Sequence, residues 1–242
     1  MAKNTRAYGK TVSHGAKSAL TLLFMSAGLS LFSQQTPDFL QLYENRMYSE
    51  RASKMVGGLT YEQISGSPYF PSEFVTGKVI QSDSTAYDEV WLRLNVYTNQ
   101  MEFKNKEGQV LEILEPERYD RFLVGENTFR FITWNEANRT EKGYFQLLAE
   151  GPASLYKKLR INFKEGEKPA AYKDEVPPQF VVMAPDYYIA VEEAPAQRIR
   201  NQKHVLELLS GIKPDLPAFV KKEKLNLNKE EDLIKTIEYC SK

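Results

Sequence analysis

The spacing of hydrophobic positions changes along the chain, and each change predicts a different element. Residues 19–33 are an almost unbroken apolar run, Ala19-Leu20-Thr21-Leu22-Leu23-Phe24-Met25 continuing to Leu31-Phe32-Ser33. In 38–59, Phe39, Leu42, Tyr43, Met47 and Met55 recur among charges in a loose helical pattern that Gly57-Gly58 would end. The Ser65-to-Pro71 stretch holds two prolines and a glycine, so it reads as a turn into a strand, with Tyr69 and Phe70 plugging one end of the core. The period then becomes two. Short β-branched or aromatic runs at 74–80, 89–97, 100–104, 110–114, 128–134, 143–149 and 154–163 alternate with turn-like pieces such as Thr98-Asn99. A charged, proline-bearing connection over 164–178 leads to two further strands, 179–183 and 187–191, on either side of Ala184-Pro185-Asp186. From Ala196 the pattern is helical: Ile199, Leu206 and Leu209 can share a face, Pro217 after Asp215 marks a helix start, and Asn228 with Glu231 forms a capping pattern. The last helix should turn Leu233, Ile237 and Cys240 inward.

These patterns predict a mainly β (α+β) fold: an antiparallel β meander, a curved sheet or half-barrel, with C-terminal helices. The expected organisation is a signal peptide over 1–33, a helical or extended lead-in over 34–64, a β domain over 65–192 and a helical segment over 193–242. In the strand around Leu92, Val90, Leu92, Leu94 and Val96 point to the core, while Trp91, Arg93, Asn95 and Tyr97 form a mixed aromatic and polar opposite face.

The first apolar run changes the picture of compartment. It follows Lys3, Arg6, Lys10 and Lys17 with no acidic residue, and it ends on Ser33 before Gln34-Gln35. That is the pattern of a secretory signal peptide cut near Gln34. The run is interrupted by Ser26, Gly28 and Ser30 and falls short of the roughly 20 apolar residues of a membrane span, so no transmembrane helix is expected in the mature chain. Losing four basic and no acidic residues takes the formal charge from 0 to −4, which gives no indication of a nucleic-acid partner. A single cysteine, Cys240, allows no internal disulfide and points to the periplasm or cell surface of a Gram-negative bacterium.

Candidate chemistry is narrow. Past the signal segment the sole histidine is His204, which precludes a two-histidine zinc site and sits in a predicted amphipathic helix as a partly exposed residue. Cys240 reads as core filler. No phosphate-cradling loop or nucleophile elbow occurs, so no catalytic residue, metal or cofactor is assigned. Abundant carboxylates leave open a glycan hydrolase working through an acid pair beside Trp91 or Trp134. Aromatic residues make up 12% of the chain, and a ligand-binding set of Trp91, Arg93, Tyr97, Trp134 and Tyr144 is the candidate site. The competing arrangement has the C-terminal helices covering that face and burying the rings.

At Gly66-Ser67-Pro68-Tyr69-Phe70 with Glu73-Phe74 and Gly77-Lys78-Val79, at Leu92 to Tyr97 with Met101-Glu102-Phe103, and at Phe219 to Lys222 with Asn228 to Leu233, the chain resembles a group of uncharacterised exported proteins from Bacteroidota. The resemblance implies an exported β-rich domain with a helical C-terminus and carries no site residue. The function expected is a non-enzymatic binding or envelope-associated protein, its partner an envelope protein or envelope ligand. A structural subunit of an envelope assembly is a further alternative, and the oligomeric state is left open.

Overall fold

The computed structural model describes residues 54–137, 139–167 and 174–242. The predicted signal segment and most of the lead-in lie outside these residues. The described chain opens with a two-residue pair of strands, β1 (Met55–Val56) and β2 (Leu59–Thr60), joined by Gly57 and Gly58 at φ +59° and +78°. Two consecutive left-handed residues make a tight hairpin turn. The glycine pair therefore turns a hairpin and ends no helix. One 3-10 turn, Tyr61–Gln63, follows.

Ten strands then form one sheet. β3 (Tyr69–Gln81), β4 (Ala86–Asn95), β5 (Gln100–Lys104) and β6 (Val110–Glu112) make an antiparallel meander, and β7 (Tyr119–Val124) returns to pair with the free side of β3. Close approach at this junction requires Gly77, where a Cβ would stand 2.0 Å from the Leu123 carbonyl oxygen. From β7 a second meander runs through β8 (Asn127–Glu136), β9 (Arg139–Ala149), β10 (Ala153–Lys164) and β11 (Gln179–Val191). The short β12 (Ala196–Arg198) pairs antiparallel with β11 and parallel with β8, Ala196 opposite Trp134, and so closes strands β8 to β12 into a five-stranded barrel. The mainly β fold with C-terminal helices is thus as the periodicity implies, and its barrel is closed.

Three elements differ from the sequence reading. β7 was not among the predicted strands. The strands predicted at 179–183 and 187–191 are one strand: the register against β10 shifts between Lys158, opposite Asp186, and Arg160, opposite Met183, so β11 has an extra residue where Pro185 lacks an N–H. Ala196 starts a strand and no helix. Ile199 continues the extended course, its N–H donating to the Tyr187 carbonyl at 2.8 Å. The first helix, α1 (Gln202–Leu209), starts at Asn201, whose Oδ1 accepts from the His204 N–H at 2.9 Å. α2 (Leu216–Lys222) starts after Asp215, and α3 (Glu230–Cys240) starts after Lys229, one residue beyond the cap predicted at Asn228.

The hydrophobic core has several parts. One lies under β3 to β8 and includes Val90, Leu92, Leu94, Val96, Phe103, Phe122 and Phe129. A second joins Ala153, Leu155 and Ile189 of the barrel to Val205, Leu209, Leu216, Leu233, Ile237 and Cys240 of the helices. The barrel interior is filled by Trp134, Phe145, Tyr156, Tyr188 and Ala196, as a barrel this narrow demands. Among the described residues no helix is long and apolar enough to cross a membrane.

Candidate functional site

The structure divides the residues singled out from sequence among separate surroundings. Trp91 is 50% exposed on β4 between Thr76 and Lys104. Arg93, on the same face, stacks its guanidinium 3.5 Å from the Tyr69 ring centroid and 4.1 Å from that of Phe74. Its Nε and Nη2 each lie 3.0 Å from Glu102 Oε2, and Lys54 pairs with the other oxygen of this fully buried carboxylate. Tyr97 is 37% exposed and leans edge-on against Tyr61 and Phe180, with centroids 6.5 and 5.4 Å away. Asn95, predicted on this mixed face, is buried, its Oδ1 accepting from the Thr98 N–H at 3.1 Å.

Trp134 and Tyr144 do not join them. Trp134 is buried inside the barrel, its ring 5.1 Å from Phe145. Tyr144 is buried in the other core, 5.0 Å from Phe131 and 5.4 Å from Phe122. The backbone N–H of Tyr144 donates to Asn99 Oδ1 at 2.7 Å and its carbonyl accepts from Asn99 Nδ2 at 3.2 Å, so a side chain substitutes for a neighbouring strand. Both rings serve packing. The C-terminal helices lie on β9, β10 and β11, away from Trp91.

Polar groups converge instead at the barrel end where β8 and β12 finish. The inward positions leading to that end are aromatic, and those at its rim are charged: Glu136 on β8, Lys158 and Arg160 on β10, Asp186 on β11 and Arg198 on β12. Asp186 accepts from Arg160 at 3.3 Å and from Arg198. Glu136 accepts from the Trp134 indole N–H at 3.3 Å. Beneath them Tyr188 is fully buried, its hydroxyl without a hydrogen-bond partner and its pKa pushed up to about 12, by burial first and then by Glu136 and Asp186.

Just outside this rim lies an open cleft of about 910 Å³. Asn135, Glu136 and Ala137 at the end of β8, Thr140 on β9, Gln197 to Arg200 along β12 and its extension, and His204 in the first turn of α1 line it. Its walls are rich in donors. Arg200 makes no ion pair or hydrogen bond to any described residue, and His204 Nδ1 is buried without a partner. Among the described residues, no three histidine, cysteine or carboxylate side chains converge as a metal site would require.

Sequence reasoning missed this site because it took Ala196 onward as helix, which scatters Arg198 and Arg200 around a cylinder. In extended backbone residues two apart share a side, and that alternation with Gln197 and Ile199 was the available signal. No protein-family model, curated protein or solved structure matches this chain.

Proposed function

We propose that this chain is an exported, non-enzymatic binding protein of the bacterial cell envelope, and that its ligand is a small polar molecule with an acidic group, seated in the cleft beside the barrel end. The observation that carries this reading is Arg200, a guanidinium without an ion pair or hydrogen bond to any described residue, in a cleft whose other polar walls are the Arg198 guanidinium, amide, hydroxyl and imidazole groups and one carboxylate, Glu136, which already accepts from the Trp134 indole. Arginine presents a rigid fork of donors suited to a carboxylate, sulfate or phosphate. A concave site with a few convergent polar groups suits a small ligand better than a flat protein partner. The filled barrel interior argues against a lipid carrier, since its volume is occupied by Trp134, Phe145, Tyr156 and Tyr188. Two carboxylates of the rim have structural partners, Asp186 bridging two arginines and Glu136 holding the Trp134 indole, which favours binding over hydrolysis.

The test is native mass spectrometry of the protein recovered from gently solubilised envelopes, beside its Arg200→Ala variant. The wild type should carry a small-molecule adduct that the variant lacks while keeping its circular dichroism spectrum. Ligand-free wild type, or an adduct that persists in the variant, would refute the reading.

A further inference from the structure

Two opposite charges line the cleft, and each lacks a counter-ion. Trp134 of β8 and Ala196 of β12 point into the barrel. By strand alternation Glu136 and Arg198 stand on that same side at the rim, with Arg200 two positions further along the extended backbone. Arg198, one position beyond the Gln197–Asn135 pair, is placed to be the partner of Glu136. It pairs instead with Asp186, which also takes Arg160 at 3.3 Å. Glu136 keeps one hydrogen bond, from the Trp134 indole to Oε2 at 3.3 Å, and its Oε1 receives none from any described residue. Lys158, the remaining cation of the rim, lies 3.8 Å from the centroid of the Trp134 ring and forms no ion pair with Glu136. Nor does Arg200 pair with Glu136, although both belong to the same cleft.

We propose that the ligand of this cleft is a zwitterion, an α-amino acid, whose carboxylate sits on Arg200 and whose ammonium donates to Glu136. The inference rests on the acid-binding reading above and adds a second charge to it. A guanidinium and a carboxylate that share one cleft without bonding to each other present the complement of an amino acid's own two charges. At about 3.3 Å per residue, Arg200 lies roughly 7 Å along the strand from the position beside Glu136, so the two side chains can reach one small molecule. A ligand with an acid alone would satisfy Arg200 but bring its anion toward the unengaged oxygen of Glu136, a like-charge contact that disfavours it. An ammonium on the same carbon turns that contact into a charge-assisted hydrogen bond.

The remaining walls indicate the side chain. Asn135 Oδ1 accepts from the Thr140 hydroxyl at 3.0 Å, which leaves the Asn135 Nδ2 to donate, and Gln197 is its register partner on β12. Two amides in the wall suit an amino acid whose side chain is polar.

The experiment screens the standard L-amino acids against the mature protein by thermal shift. The most stabilising one goes to isothermal titration beside its deamino acid, the same molecule with hydrogen in place of the ammonium. Glu136→Gln, whose amide oxygen can still accept from the Trp134 indole, and Arg200→Ala are titrated in parallel. The wild type is expected to bind the amino acid at least about tenfold more tightly than the deamino acid, the lower end for a hydrogen bond to a charged group. Glu136→Gln should weaken the amino acid and not the deamino acid. Equal affinity for the two molecules in the wild type, or no amino acid that stabilises the protein, overturns the inference. Arg200→Ala separates the two failures: if it abolishes binding of a deamino acid that the wild type holds equally well, the acid-binding reading stands alone, and if binding survives it, both fall. Where no amino acid binds, the Arg200-dependent adduct sought above decides the acid-binding reading by itself.

Discussion

Glu102 shows how much one buried charge can organise. It lies on β5 with no solvent exposure, paired with Arg93 from β4 and with Lys54 from the segment ahead of β1, while Lys54 also reaches Glu112 on β6 at 2.9 Å. Burying a carboxylate is unfavourable unless cations and hydrogen bonds compensate it. Removing it would strand Arg93 between Tyr69 and Phe74 with an uncompensated positive charge. Glu102→Ala should therefore destabilise the protein by about 3 to 5 kcal/mol, the range for breaking a buried pair by deleting one partner. Urea denaturation gives that difference directly, and a loss under about 1 kcal/mol, the worth of an exposed pair, would show that the network contributes little.

At the scale of elements, α3 is tied to the barrel by its first turn. Glu230 accepts from Lys157 of β10 at 2.7 Å and from the Tyr187 hydroxyl of β11 at 2.8 Å. Burial alone would raise the pKa of this carboxyl, but the bonds from Lys157 and Tyr187 outweigh it and hold the pKa below the usual glutamate value. An acid whose pKa is lower folded than unfolded stabilises the fold above its unfolded pKa, about 4.3, and loses that contribution as pH falls through the folded value. Acidification below about pH 4 should thus loosen α3 first. Amide exchange within Glu230–Cys240 should rise faster than in β8 as pH is lowered, after correction for intrinsic rates, and Glu230→Gln should remove this pH dependence. Most elements were legible because each carries its own periodicity, as Val90, Leu92, Leu94 and Val96 do in β4. The failures share a cause: β12 has three residues and β11 is interrupted by Pro185, so in both cases the pairing partner decides the conformation and local pattern does not.

On the scale of the whole described fold, the barrel and the C-terminal helices share one core. Leu155 and Ile189 of the barrel pack with Val205, Leu209, Leu233 and Ile237 of the helices in one cluster. Fully burying each such side chain contributes roughly 1.5 to 3 kcal/mol. A chain ending at residue 199 should consequently expose that face and elute as aggregate in size-exclusion chromatography, without a sharp thermal transition. A monomeric fragment that melts cooperatively would show the helices to be dispensable. The candidate site was far less legible than the fold. Rings such as Trp134 and Tyr144 suit stacking on a ligand, yet the same rings best fill a narrow barrel and a sheet core, and sequence does not separate the two uses. The rim residues come from β8, β10, β11 and β12, and only closure of the barrel brings them together.

That closure carries a consequence of parity. In an up-and-down ring each successive strand reverses direction, so an even ring returns its last strand to the end opposite the one where the first strand finishes. Five is odd, and β12 finishes beside β8. The turn that leaves β8 and the chain that leaves β12 for α1 are thereby forced out through the same opening, which is why Ala137 and Arg200 face each other across one cleft. One strand more or fewer would send the helical tail out at the far end, and the two walls would never meet.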